Sequence, residues 1–222
     1  KTNLGKNRTT LAKGGGFSFE KYEVKNKQDV RKELNLPTDK KILITVGRFG
    51  FGNQKRGDAK GFKYILKAYK TLKKDRDVLF LYAGSGSDKN EQIIEAEKEG
   101  VVFLGHLKHE ILMKYINAAD VFSNYVNNNR DRLFCGLGTT TMESLSLNTP
   151  VVTPLLTSLM CTKDKERKKM GMIPKNPDDI VNCISKVFDN PDSFSSTRTI
   201  MERYYSWEKI LEMNDSVYRK FL

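Results

Sequence analysis

A glycine loop, a hydroxyl-rich helix start and a strand follow one another between residues 134 and 154. Gly136 and Gly138 let the backbone come close to a ligand, and the threonines from Thr139 to Thr141 offer helix caps and hydroxyl donors. The amides of a first helical turn have no partners inside the helix, and such amides bind anions. The pattern therefore predicts a cradle for a diphosphate.

Glu143 lies one turn into the same predicted helix. Its carboxylate can accept two hydrogen bonds from a vicinal diol such as a ribose. The cradle and the glutamate together indicate a nucleotide site. The alternative is a helix cap followed by a surface glutamate, and the rest of the chain has to decide between the two.

The composition is that of an ordinary globular protein. With 222 residues, 38% hydrophobic and 30% charged, the chain can bury one good core, so a single domain is expected. The net charge of +12 favours anionic partners such as nucleotides, nucleic acid or an acidic membrane surface. Because the basic residues are spread along the chain and do not form one stripe, we expect no dedicated nucleic-acid site.

The three cysteines, Cys135, Cys161 and Cys183, have no metal-type spacing. An odd number of cysteines without a secretory leader predicts reduced thiols and a cytoplasmic location. No apolar run approaches the roughly 18 residues of a spanning helix, so the chain is expected to be soluble or at most peripheral to a membrane. It begins with Lys1, which is compatible with a segment of a longer protein.

Apolar runs alternate with segments of helical apolar spacing from residue 41 onwards. The run 41–47 ends at a glycine and suits a strand buried on both faces of a parallel sheet, and the run 78–84 repeats it. Further strands are predicted at 101–104, 121–125 and 150–153, and helices at 29–34, 62–72, 91–98, 110–117, 140–147, 178–188 and 207–222. This alternation predicts the α/β class with a doubly wound, Rossmann-like parallel sheet.

Ligands of such sheets bind beyond the carboxyl ends of the strands. Three loops lie there: Gly47-Arg48, the segment from Gly84 to Gly86, and the loop before Gly136. We expect them to converge on one crevice.

Seven short motifs occur in a definite order along these loops and strands. They are Val46-Gly47-Arg48, Lys60-Gly61, Tyr82 to Gly86, Val102 to Gly105, Ala118 to Phe122, Gly136 to Ser144, and Thr149 to Val152. Each motif alone is weak. Together, from about residue 13 to the end, the chain resembles the C-terminal donor-binding domain of retaining glycosyltransferases of the GT-B type, family 4 (group 1).

The resemblance implies an architecture and a reaction. Residues 36–205 would form the Rossmann-like donor domain, 1–35 a polar linker or edge segment, and 206–222 a helix returning towards an N-terminal acceptor-binding domain outside this chain. The reaction would transfer a sugar from a nucleoside-diphosphate sugar to an unknown acceptor with the anomeric configuration kept. No cofactor and no metal would be required.

The resemblance also assigns residues. Arg48 and Lys60 would be the catalytic cations on the donor diphosphate, and Glu143 would bind the ribose. The remaining donor-binding positions would be Gly47, Cys135, Gly136, Leu137, Gly138, Thr139 and Thr140. The segment 49–59 is longer than usual and contains a second basic pair, Lys55-Arg56, so either pair could reach the phosphate. Lys60 is preferred because Gly61 and the apolar positions after it follow in family register.

One position departs from the family pattern. The family has two glutamates with seven residues between them, and the first of these positions is Cys135 here. A thiol is a poor hydrogen-bond acceptor. Either another group such as Asp131 serves the sugar, or the donor preference is altered, or activity is lost. Cys135 could also be simply a small buried residue.

Two other groups of polar residues receive structural interpretations. Asp75-Arg76-Asp77 resembles a metal-binding motif but precedes a predicted strand at its amino end, so we interpret it as a solvated turn. His106 and His109 are expected to cap a helix or lie on the surface. By resemblance, the backbone of 106–108 would pass the nucleobase.

Three alternatives remain to be weighed. A non-catalytic nucleotide-sugar binding module would explain Cys135 and the missing partner domain. A Rossmann dehydrogenase is disfavoured because no Gly-x-Gly-x-x-Gly follows the first strand, and nucleic acid is not expected as a partner. The charge is compatible with a lipid-linked acceptor at an anionic membrane face, and a soluble acceptor explains it no worse.

Overall fold

The structure is a computed structural model that describes residues 17–47, 60–85, 91–126, 138–159 and 163–219. Its strands are β1 (Lys41–Val46), β2 (Val78–Ala83), β3 (Val102–Gly105), β4 (Val121–Ser123), β5 (Val151–Val152) and β6 (Gly171–Met172). Its α-helices are α1 (Lys27–Glu33), α2 (Phe62–Leu72), α3 (Glu91–Lys98), α4 (His109–Ala118), α5 (Thr139–Ser146), α6 (Asp164–Arg167), α7 (Ile180–Asp189), α8 (Thr197–Tyr205) and α9 (Trp207–Tyr218). Short 3-10 turns lie at Phe19–Lys21, Pro154–Ser158, Pro177–Asp179 and Pro191–Phe194.

The strands form one parallel sheet in the order β3-β2-β1-β4-β5-β6. From β1 the chain runs outwards through β2 and β3, then returns to the other side of β1 to form β4. The order therefore reverses between β1 and β4, which is where such sheets bind their ligands. The predicted doubly wound α/β fold is confirmed.

Strand β1 shows why the sheet is covered on both faces. Ile42, Leu43 and Ile44 are fully buried. Leu43 belongs to a core cluster with residues of α2 and α7, whereas Ile42 and Ile44 belong to a second cluster with residues of α4, α5 and α8. Successive side chains of a strand point to opposite faces. An uninterrupted apolar run therefore supplies both cores at once.

Helix α2 follows the predicted apolar spacing. Its buried face consists of Phe62, Ile65, Leu66, Ala68, Tyr69 and Leu72. The residue before it, Gly61, has a φ of +71°, and a side chain there would place its Cβ 2.2 Å from the carbonyl oxygen of Tyr125. The glycine of the Lys60-Gly61 pair thus lets the start of α2 pack against the chain that leaves β4.

The N-terminal strap (residues 17–26) packs onto the domain. The sequence predicts a polar linker or edge segment for residues 1–35. Phe19 is 6% exposed. Arg198 of α8 donates to the carbonyl oxygens of Tyr22 (2.6 Å) and Phe19 (3.0 Å). The backbone of Lys25 exchanges two hydrogen bonds with the Asn117 side chain of α4. The strap is therefore held both by aromatic side chains that pack on the core and by hydrogen bonds to its backbone.

A buried ion pair joins α1 to the amino end of the sheet. The Arg31 guanidinium, 3% exposed, donates to Asp120 at 2.7 Å, and Asp120 also accepts from the backbone N–H of Ile42 at 2.7 Å. Lys27 reaches the same carboxylate at 3.3 Å. Burial lowers the pKa of Lys27, and the negative charge of Asp120 opposes that shift.

Replacing Asp120 by alanine is expected to lower the free energy of unfolding by about 3–5 kcal/mol, because it leaves the buried Arg31 charge without its partner. Chemical denaturation of both proteins measures the difference. The matched control is Asp77→Ala, which removes a largely exposed carboxylate paired with Lys40 and should have little effect. An equal loss in the two variants would contradict a structural role for the Arg31–Asp120 pair.

Candidate functional site

A cleft of about 530 Å³ opens at the carboxyl ends of the strands, beside the point where the sheet order reverses. Residues that follow β1, β2 and β3 line it together with the start of α5. The lining residues are Val46, Gly47, Lys60, Ala83, Gly84, Ser85, His106, Leu107, Leu112 and Thr140. The predicted convergence of strand-end loops on one crevice therefore holds for the loops after β1 and β2.

Two glycines let the ends of β1 and β2 approach each other in this cleft. The N–H of Gly47 donates to the Ala83 carbonyl at 3.0 Å, and the N–H of Gly84 donates to the Gly105 carbonyl at 2.8 Å. A Cβ on Gly84 would lie 1.6 Å from the carbonyl oxygen of Gly47. The absence of a side chain at position 84 therefore lets two backbone segments pack against each other at the floor of the cleft.

Lys60 extends over the same floor. A Cβ on Gly47 would lie 2.9 Å from Cγ of Lys60, so the aliphatic stem of the lysine covers that glycine. The Lys60 carbonyl accepts a hydrogen bond from the Tyr125 N–H at 2.8 Å, which ties the lysine to the end of β4. No ion pair engages its ammonium group within the described ranges. A cation is thus held at the cleft without a described acidic partner.

The amino end of α5 borders the cleft through Thr140. Gly138 precedes the helix with a φ of +77°, and its carbonyl accepts from the amides of Thr141 and Met142. The amides of Thr139 and Thr140 come earlier in the first turn, where an α-helix offers no internal acceptor. These amides and the positive end of the helix dipole favour an anion.

Glu143 lies one turn further along α5, on the side of Thr140, and is 5% exposed. Its Oε1 is 2.8 Å from Nε2 of His109, the first residue of α4. The ring of Tyr22 packs edge-on to this imidazole with centroids 5.7 Å apart. Burial and the nearby Glu143 carboxylate raise the pKa of Tyr22. The alternative of a surface glutamate does not fit this environment.

Several predicted site residues lie outside the described residues. These are Arg48, Asp131, Cys135, Gly136, Leu137 and the segment 49–59 with Lys55-Arg56. Of the others, Gly47, Lys60 and Thr140 line the cleft, Gly138 and Thr139 begin α5, and Glu143 follows on the same helix.

The sequence comparison with known families decides what kind of domain carries this cleft. Residues 26–205 match the family described as glycosyl transferases, group 1. The chain belongs to this family. Its predicted resemblance to the C-terminal domain of GT-B glycosyltransferases is confirmed by the match and by the fold.

Relatives of this group 1 glycosyltransferase chain extend beyond it. An uncharacterized glycosyltransferase of Methanocaldococcus jannaschii is 25% identical over 202 residues, which cover 87% of this chain and 48% of the relative. The chain therefore spans about half the length of the curated relative it matches.

Solved structures share the fold, including one nucleotide complex and one isolated domain. Anabaena HepE in complex with UDP superposes with a TM-score of 0.70 at 14% identity, covering 92% of this chain and 56% of that one. The C-terminal domain of the group 1 protein LpcC from Francisella tularensis superposes with a TM-score of 0.65 at 14% identity, covering 86% of this chain and 99% of the domain. The group 1 chain thus has the fold of one isolated C-terminal domain.

The Asp75-Arg76-Asp77 turn lies before β2, at the amino end of the sheet and away from the cleft. Arg76 pairs with Asp189, and Asp77 pairs with Lys40. The described residues contain no cluster of three or more His, Cys, Asp or Glu side chains that could hold a metal ion. Metal independence of the reaction stays a prediction. Of the helices in the described ranges, none has the length and apolar character needed to cross a bilayer.

The contact between His109 and Glu143 was missed by sequence reasoning, which gave the histidine a capping or surface role. The two residues are 34 positions apart, on helices whose packing no local pattern reveals. The missed signal was the position of His109 at the start of the helix after β3, because the loops after parallel strands meet at the same edge of the sheet.

Proposed function

We propose that this chain is the donor-binding part of a retaining glycosyltransferase that uses a nucleoside-diphosphate sugar. The observation that carries this proposal is the joint placement of Lys60 and the amino end of α5 on one cleft at the sheet reversal. A cation held in the cleft and amides that have no acceptor inside their helix complement the charge of a diphosphate. The glycines at the ends of β1 and β2 let the backbone and the Lys60 stem pack closely at the floor of this cleft.

The same groups suit the chemical step. Negative charge grows on the leaving diphosphate as the glycosidic bond breaks, and donors already fixed around it stabilise that charge without reorganising. Lys60 supplies one such cation, and the sequence predicts Arg48 as a second. The positive charge is then supplied by side chains and amides, which is the basis for expecting no metal requirement.

The nucleoside part of the donor is assigned to the other end of the cleft. Glu143 would accept hydrogen bonds from the ribose diol. His106 and Leu107 line the cleft after β3, where the resemblance places the backbone that passes the nucleobase. HepE, which shares the fold, has been solved in complex with UDP-glucose and with UDP. These complexes support a nucleoside-diphosphate sugar as the donor class.

The proposed retaining reaction predicts the stereochemistry of the product. When the complete protein is incubated with UDP-, GDP- and ADP-sugars, it should release one nucleoside diphosphate preferentially. Water-soluble acceptors and lipid-linked acceptors in anionic vesicles are assayed side by side, with water as acceptor when both are left out. Proton NMR should show the donor's anomeric configuration in the glycoside product. In the reaction with water, the released sugar should show it before it mutarotates. An inverted product would overturn the retaining assignment.

A non-catalytic nucleotide-sugar binding module is the second candidate, favoured by Cys135 at the position of the first family glutamate. The complete protein would then bind a nucleotide sugar without turning it over. The Cys135→Glu variant separates the two functions. Increased transfer in this variant supports the enzyme, whereas donor binding without turnover in both proteins supports the module.

A further inference from the structure

The carboxylate of Glu143 is held from one side. It is almost fully buried at one turn from the cleft-lining Thr140, and its hydrogen-bond partner among the described residues is Nε2 of His109 at 2.8 Å. That bond engages Oε1. A buried carboxylate can turn about its last torsion unless one oxygen is fixed, because this torsion is broad. A bond to one oxygen therefore sets the direction of the other.

The imidazole of His109 is itself positioned from the N-terminal strap. The Tyr22 ring lies edge-on to it at an interplanar angle of 76°. The Tyr22 carbonyl accepts from Arg198 at 2.6 Å, and the Arg198 guanidinium also stacks over the Phe19 ring at 5.0 Å. The His109 side chain is about half exposed, whereas the side chain of the glutamate it holds is buried. The strap thus holds the partly exposed imidazole of His109 against the buried carboxylate of Glu143.

We propose that His109 is a positioning residue for the donor: it holds Oε1 of Glu143 so that Oε2 faces the ribose diol. This inference rests on the proposed donor site. It adds a residue from α4 to a ribose contact otherwise carried by α5 alone. The imidazole can donate to the carboxylate whenever Nε2 carries a proton, which holds for one neutral tautomer and for the doubly protonated ring. A glutamine at position 109 can also donate, whereas an alanine cannot.

The test is calorimetric titration of the complete protein with UDP, GDP and ADP, each beside its 2′,3′-dideoxy analogue. His109→Ala should weaken binding of the preferred ribonucleotide about tenfold, the effect of one hydrogen bond to a charged group, and leave the dideoxy analogue unchanged. His109→Gln should recover most of the affinity. Glu110→Gln, an exposed neighbour on α4 without a described contact to Glu143, serves as the matched control and should bind like the wild type.

The outcomes separate this inference from the donor site itself. If Glu143→Ala weakens only the ribonucleotide while His109→Ala has no effect, the donor site stands and the positioning role is overturned. An equal loss of ribonucleotide and dideoxy binding in His109→Ala overturns it too, because the effect would then be general. If the wild type prefers no ribonucleotide over its dideoxy analogue, the ribose assignment of Glu143 and the role of His109 both fail.

Discussion

Replacing Lys60 by alanine in the complete protein is expected to lower the rate of sugar transfer about 10²–10³-fold, as the loss of one fixed electrostatic donor typically does. The stem of Lys60 lies over Gly47 in the cleft, and no described acidic side chain neutralises its charge. Its contribution should grow as charge moves onto the diphosphate. The transfer rate at saturating donor should therefore fall more than donor affinity does.

Steady-state kinetics with the preferred donor measure both quantities. Lys74→Ala is the matched control, because it removes the same charge from an exposed position beyond the far end of α2. It should leave the transfer rate close to that of the wild type. Equal losses in the two variants would mean that net charge, and not the position of Lys60, governs the reaction. An unchanged rate in Lys60→Ala would remove this lysine from the donor site.

Replacing Gly84 by alanine is expected to destabilise the domain by more than about 4 kcal/mol, a loss that point mutations rarely reach. Gly84 has a φ of +149°, which side chains rarely adopt, and its Cβ would lie 1.6 Å from the Gly47 carbonyl oxygen. The atom in the way belongs to the backbone. Strands β1 and β2 would have to separate at their carboxyl ends, and the cleft would lose its floor.

Gly105 offers a control for the backbone conformation alone. It also has a positive φ, +65°, but nothing lies within 4 Å of the position that its Cβ would occupy. Gly105→Ala should therefore cost only the strain of the left-handed conformation, about 1–2 kcal/mol. Denaturant titration of both variants gives the comparison. Similar losses would show that the close approach of Gly84 to Gly47 is not what constrains the site.

The sequence predicts the parts of the fold whose patterns are strong and local. The apolar runs that became β1 and β2 are long, and the buried face of α2 repeats at helical spacing. Strand β6 was missed because two residues, Gly171 and Met172, are too few to show a periodicity. Their pairing with β5 depends on the tertiary structure. Helix α6 was missed because its four residues are all charged. Helix α8 was missed although Ile200, Met201 and Tyr205 are buried, because these positions cover fewer than two helical turns.

The candidate site was likewise predicted only in part. Glycines and polar residues at strand ends predict the cleft, because parallel strands bring their carboxyl ends to one edge of the sheet. The direction of Glu143 could not be predicted, since it depends on the packing of α4 against α5 and on Tyr22 from the N-terminal strap. Predicted boundaries were also shifted slightly. The strand expected at 101–104 lies at Val102–Gly105, and the helix expected from 178 begins at Ile180 after a 3-10 turn.

The measurement that tests the donor site most directly is calorimetric titration of the complete protein with UDP, GDP and ADP, with Lys60→Ala and Glu143→Ala titrated in parallel. We predict that one nucleoside diphosphate binds selectively at a single site, with a Kd between about 1 μM and 1 mM, and that each substitution weakens this binding. Binding of none of the three nucleotides, or binding that both variants retain in full, would contradict a donor site in this cleft.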